Sequence, residues 1–302
     1  MKGEFIRNES GFRDWISAGG DAASGEFPAE AGRYHLYVSY ACPWAHRTLI
    51  YRELKGLKDV ISVSVVHPLM PPESWVFGEY PGATPDHVHG LSRLEQVYEI
   101  AKPGYDGLVT VPALYDKQCS TVVNNESSEI IRMLNDAFDA WGRGDIDFYP
   151  KPLRAEIDAV NALVYENVNN GVYRAGFATT QVAYEDAYNR LFETLDELEV
   201  RLSRQRYLVG KHPTEADWRL FPTMVRFDAV YYSHFKCNRH RLVDYPNLWA
   251  YTRDLFQIPG VASTVNMDHI KRHYFGSHKS LNPSSIVPKG PDLDFQAPHC
   301  RA

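Results

Sequence analysis

The chain has 302 residues, a length that predicts two domains, and its 44% hydrophobic and 23% charged residues are enough for packed cores. A net charge of -6 argues against the basic surfaces that nucleic acid or an anionic membrane would require, and no run approaches the roughly 18 apolar residues of a membrane span. Four scattered cysteines, Cys42, Cys119, Cys237 and Cys300, form neither a disulfide scaffold nor a zinc cluster, so a cytoplasmic protein with reduced thiols is expected.

Along the chain, Ala18 to Gly32 reads as loop, and Tyr34 to Tyr40 as a strand rich in β-formers. Pro43 opens a helical pattern through Lys55, with proline well placed in the first turn, and Gly56 stops it. Val60 to Val66 is a second strand, so β-α-β predicts a parallel crossover unit. His67 to Gly107 is Pro- and Gly-rich with one helix near Ser92 to Ile100, and a connection this long is usually functional. Val111 to Tyr115 and Ser120 to Val123 predict two short strands, followed by a helix over Ser127 to Asn135. Together these spell a thioredoxin-like α/β domain. A Gly, Asp and Pro stretch from Asp136 to Pro152 reads as a linker. An all-helical region follows, with an amphipathic stripe from Tyr184 to Leu202 and helices over Thr214 to Tyr232 and Asn247 to Gln257. The Pro-rich tail after Gly276 is expected to lie on the surface without regular structure. The predicted domains are residues 1–138 and 139–302.

The strongest chemical signal is Cys42-Pro43-Trp44-Ala45. A cysteine between a strand and a helix start faces unpaired N–H groups and the positive end of the helix dipole, which favour thiolate over thiol. Ala45 stands where a second cysteine would close an internal disulfide. The site therefore predicts a mixed disulfide that an outside thiol resolves. In a thioredoxin-like domain, Val111 before Pro112 would offer its backbone to an extended, peptide-like ligand. Asn125-Glu126-Ser127-Ser128-Glu129 reads as a helix cap and, equally, as an anion site at a helix N-terminus. Thr214-Glu-Ala-Asp217 is a capping box, a folding element, and Pro222 inside the helix it opens should kink that helix. His87-x-His89 and His269-x₃-His273 lack nearby carboxylate or cysteine partners, so no metal is expected.

In that order, Cys42-Pro43-Trp44-Ala45-His46-Arg47-Thr48, Thr110-Val111-Pro112-Ala113-Leu114, Glu126-Ser127 and the Thr214 box resemble glutathione transferases with a catalytic cysteine. Longer strings narrow the resemblance: Met70-Pro-Pro-Glu-Ser-Trp75-Val-Phe, the run from Arg226 to Asn238, and Met267-Asp-His-Ile-Lys-Arg-His-Tyr274 are similar to the Xi class, the glutathionyl-hydroquinone reductases. The resemblance spans about residues 11 to 280. It implies Cys42 as the nucleophile and glutathione as co-substrate. It implies Trp75 against glutathione, Val111 on its cysteinyl backbone, and Glu126 with Ser127 on its γ-glutamyl end. Tyr184 and Tyr274 match tyrosines near the aromatic substrate, and a homodimer through the helical domain is implied. The rivals are an omega-like thiol transferase or dehydroascorbate reductase, and a non-catalytic adaptor of the same fold. The Trp75 loop and the Tyr274 string speak against the first. An adaptor would have no need of an exposed Cys42-Pro43.

Overall fold

The structure, a computed structural model, describes residues 3–21 and 25–301. The chain forms two compact units: Glu9–Asp147 with Ser263–Lys279, and the remainder, Phe148–Ala262 with the residues up to Asn8 and from Ser280 onward. These units differ from a single cut near residue 138. Residues just past that point stay with the first unit, because the Lys55 ammonium, 1% exposed, donates to Asp139 (2.8 Å) and to the Ile146 carbonyl (2.6 Å). The segment 263–279 then returns to the first unit as a helix.

The first unit is built on a four-stranded sheet, β3 (Tyr34–Val38), β4 (Ser62–Val65), β5 (Ala113–Asp116) and β6 (Thr121–Asn124), in the order β4-β3-β5-β6. β3 and β4 run parallel, joined by α1 (Pro43–Leu54), while β5 is antiparallel to both β3 and β6. This is the predicted β-α-β then β-β-α arrangement. Every residue of β3 is buried, including His35, whose ring nitrogens meet the hydroxyls of Ser62 (2.7 Å) and Ser64 (2.9 Å). That accounts for a histidine in a central strand. Gly56 ends α1 at φ 68°, a left-handed backbone that glycine adopts without steric cost. α3 (Ser127–Asp136) packs beside α1, and α2 (Leu94–Ala101) lies near β6. The expected loop over Ala18 to Gly32 instead contains β2 (Glu26–Pro28), which pairs in parallel with β1 (Trp15–Ser17); the part of that stretch at residues 22–24 lies outside the described residues. Strands of three residues leave too short an alternation to read from sequence.

The second unit holds α4 (Arg154–Val164), α5 (Gly171–Gly176), α6 (Gln181–Leu202), α7 (Glu215–Arg226), the one-turn α8 (Tyr232–His234) and α9 (Pro246–Gln257). The stripe expected on α6 is buried through Leu191, Leu195, Leu198 and Leu202. Thr214 and Asp217 form both bonds of the capping box, and Asp217 also accepts from the Leu208 N–H and the Tyr251 hydroxyl. Pro222 lies inside α7, and a π-turn over Phe227–Tyr231 follows. The tail carries no regular element but is docked. Phe295 packs against Trp249 and Phe256, and Arg301 donates to the carbonyls of Leu202, Gln205 and Arg206. Among the described residues, no helix is long and apolar enough to cross a membrane.

Candidate active site

Cys42 is the N-cap of α1, with extended backbone (φ -75°, ψ 121°) and Pro43 at the first helical position. Its sulfur is partly exposed and 3.4 Å from the Val111 carbonyl, to which the thiol donates. The Val111–Pro112 peptide is cis. Cys42 therefore sits at a helix N-terminus beside the backbone of Val111, the two features placed together by β3, α1 and the segment leading into β5.

Cys42 is followed by His46 and Arg47, both buried, and each is tied to a different segment. His46 Nε2 meets the Thr264 hydroxyl at 2.8 Å. Arg47 donates to Ser127 Oγ at 3.3 Å and lies over the Trp44 ring at 4.7 Å. A guanidinium cannot accept, so the Ser127 hydroxyl accepts from Arg47 and keeps its own proton for another acceptor. Ser127 is the first residue of α3, and Glu126 is its N-cap. The Glu126 carboxylate accepts from the Ser128 N–H (3.0 Å), the Ser128 hydroxyl (2.8 Å) and the Ser10 hydroxyl (3.1 Å). The capping reading of this motif thus holds for Glu126 specifically. A helix N-terminus, a hydroxyl proton and an anchored carboxylate lie next to one another.

Trp75 lies in the long loop after β4, 7% exposed, and its ring stacks on His273 with centroids 4.9 Å and planes 20° apart. His273 belongs to α10 (Met267–Ser277), the helix that rejoins the first unit. Tyr274, next on that helix, is buried with its ring against His273 and His278. Burial lowers the His278 imidazole to about 4. Cys42, Val111, Glu126, Ser127, Trp75 and Tyr274 all belong to this one unit.

Tyr184 belongs to the helical unit, on the first turn of α6. Its hydroxyl donates to the Lys236 carbonyl at 2.7 Å, and burial pushes the phenol up to about 12. Three of the histidines in the two close spacings hydrogen-bond to protein groups. His269 donates to the Pro81 carbonyl (2.7 Å), His273 to the Pro68 carbonyl (3.1 Å), and His89 meets the Tyr115 hydroxyl (2.8 Å). Arg47, just inside the helix after Cys42, is a candidate from sequence, but its bond to Ser127 is not legible there. The parts played by Ser10 and His273 have signals only in three dimensions.

Comparison with known proteins fits this geometry. Residues 41–137 match the glutathione S-transferase N-terminal domain and residues 181–254 the glutathione S-transferase C-terminal domain. Glutathionyl-hydroquinone reductase YqjG of Escherichia coli is 54% identical over 99% of this chain and 92% of its own. Its glutathione-bound structure superposes with a TM-score of 0.93, covering 96% of each chain. Glutathionyl-hydroquinone reductase PcpF of Sphingobium chlorophenolicum is also 54% identical, over 96% of this chain and 90% of its own. The glutathione transferase Xi of Phanerochaete chrysosporium is 52% identical, with a TM-score of 0.92 over 97% of this chain and 99% of that one. A thioredoxin-like unit with a cysteine at the start of α1, followed by a helical unit, defines a cysteine-type glutathione transferase. The chain belongs to that family, and within it to the Xi-class glutathionyl-hydroquinone reductases.

Proposed function

We propose that the chain reduces glutathionyl-hydroquinones to hydroquinones through a mixed disulfide on Cys42, with glutathione as co-substrate. The observation that carries this is the placement of a lone cysteine, with Ala45 in the resolving position, at the N-terminus of α1 and 3.4 Å from the Val111 carbonyl. The Cys42 thiolate attacks the sulfur of the glutathionyl group. The carbon–sulfur bond breaks, the ring carbon leaves with the bonding pair and takes a proton, and Cys42 is left disulfide-bonded to glutathione. A glutathione thiolate then attacks the glutathione sulfur of that disulfide, releasing oxidised glutathione and the Cys42 thiolate. One carbon–sulfur bond is reduced for each disulfide formed.

The chain's residues divide this work. A thiolate no longer donates to Val111, so ionisation of Cys42 leaves that carbonyl for a backbone N–H of the ligand. The Ser127 hydroxyl, accepting from Arg47, has its proton directed elsewhere, which suits the carboxylate of the γ-glutamyl end. Glu126, fixed by Ser10 and Ser128, suits its ammonium. Trp75 presents a ring to the same ligand. Tyr274 and Tyr184 are the proposed proton donors to the ring oxygen. Tyr184 stays in the proposal on the resemblance alone, and its proton must first leave the Lys236 carbonyl. Reduced thiols at all four cysteines fit a cytoplasmic location, and a homodimer through the helical unit is tested by light scattering on the purified chain.

Turnover of glutathionyl-menadiol beside hydroxyethyl disulfide is the test. The proposal expects menadiol release to exceed disulfide reduction. A chain active on the disulfide and inert on the hydroquinone is a thiol transferase instead, and one inert on both is an adaptor.

A further inference from the structure

α10 grips the Trp75 loop at several points. The Tyr80 hydroxyl donates to Asp268 (2.5 Å), His269 donates to the Pro81 carbonyl (2.7 Å), and the Met70 N–H donates to Ser277 Oγ (2.9 Å). Gly82 permits the close seating: its φ is 88°, and a Cβ there would lie 2.9 Å from Asn266 Nδ2 and 3.1 Å from His269 Nε2. Between these anchors, His273 makes two contacts at once. Its ring lies against the Trp75 indole, 4.9 Å between centroids and 20° between planes, while Nδ1 is 3.1 Å from the Pro68 carbonyl. A carbonyl only accepts, so Nδ1 carries the proton, and the bond ties α10 to the Trp75 loop beside the stack. The flat face of the ring, close-packed against the indole, sets the plane of Trp75. Trp75 is 7% and His273 8% exposed, so neither ring has open space to turn into.

We propose that His273 is a positioning residue for glutathione, acting through Trp75 by holding the indole in the orientation that meets the ligand. The inference rests on the reading of Trp75 as a glutathione contact. It makes glutathione affinity depend on a side chain near the far end of the sequence, delivered by the segment that rejoins the α/β unit. An indole that must be ordered at the moment of binding weakens the complex by about three- to tenfold, the range set by immobilising one large side chain.

The test is calorimetric titration of reduced glutathione into the full chain carrying His273→Leu, His273→Phe, Trp75→Ala, or Trp75→Ala with His273→Leu. Leucine removes the ring and should weaken binding about three- to tenfold. Phenylalanine keeps the ring and should stay within about twofold of the parent, a rescue that a merely structural role for the Nδ1 bond would not give. In the Trp75→Ala background the leucine change should add nothing further. Equal affinities for the leucine and phenylalanine variants, or an undiminished leucine effect without Trp75, overturn the inference. A Trp75→Ala chain with full affinity overturns the Trp75 reading itself and the inference with it. An impaired Trp75→Ala beside an unimpaired His273→Leu overturns the inference alone. Should the leucine variant fail to fold, His273→Asn, which keeps an N–H donor and loses the ring, takes its place with the same expected weakening.

Discussion

At Cys42 the chemistry depends on one sulfur atom, because Pro43, Trp44 and Ala45 follow it and none can resolve a disulfide. Cys237 and Cys119 are poor substitutes, and Cys300 lies in the irregular tail, away from any helix start. Burial holds the Cys237 thiol well above its ordinary range, and burial with the neighbouring Asp116 carboxylate raises Cys119. Brief treatment with oxidised glutathione should therefore give one adduct by peptide mass spectrometry, on Cys42; a Cys42→Ala chain labelled as fast as the parent would show that another thiol reacts. Cys42→Ser should lose reduction entirely, since a hydroxyl forms no mixed disulfide, and a serine variant as fast as the parent contradicts that route. For the tyrosines, replacing both Tyr184 and Tyr274 with Phe keeps the rings and removes the hydroxyls. Each lost donor near developing charge should slow hydroquinone reduction by about tenfold, on the order of 1–3 kcal/mol, and spare reduction of a small disulfide. Parallel losses on both substrates remove the tyrosines from the chemistry and leave them as packing residues.

Elements that depend on local pattern were legible in the sequence. The Cys42 helix announced itself through Pro43 and Gly56, and the α7 cap through Thr214 and Asp217. Thr214→Ala should cost about 1–2 kcal/mol of stability, read by urea titration, while leaving the rate per folded molecule unchanged; a drop in rate without a drop in stability would give this box a part in catalysis. What the sequence hid are the partnerships across long separations. α10 carries an ordinary amphipathic pattern, and nothing local tells that His273 meets Trp75 or that Thr264 meets His46. The cap beginning α3 was legible, but its anchoring by Ser10 from the N-terminal segment was not. β2 falls inside the stretch from Ala18 to Gly32 that reads as loop, because three-residue strands carry almost no periodicity. The candidate site was thus legible as a set of residue types, chiefly through the family resemblance, whereas the supports that hold those residues came from the fold.

For the molecule as a whole, several histidines sit where desolvation disfavours their charged form. Burial lowers His35 to about 3 and His278 to about 4, and lowers His269 as well. Unfolded, each binds a proton near pH 6.5, so between that pH and the folded values the unfolded chain holds more protons. Stability is then fully present above about pH 6.5 and lost as pH falls toward 4 and 3, by up to about 1.4 kcal/mol per pH unit for each group. Asp116 adds to the acid side: burial alone would raise it, but the Arg33 guanidinium and the N–H groups of Gln118 and Cys119 hold it below the usual carboxylate range. Urea midpoints should accordingly fall steadily from pH 7 to pH 4, and a flat profile would mean these histidines are already charged in the native state. The central claim, however, is chemical, and one measurement meets it directly: product stoichiometry with glutathionyl-menadiol and glutathione, for the parent and for Cys42→Ala. The account predicts menadiol and oxidised glutathione in equal amounts from the parent, and neither above background from the alanine variant. Menadiol formed without oxidised glutathione, or full turnover by Cys42→Ala, would contradict it.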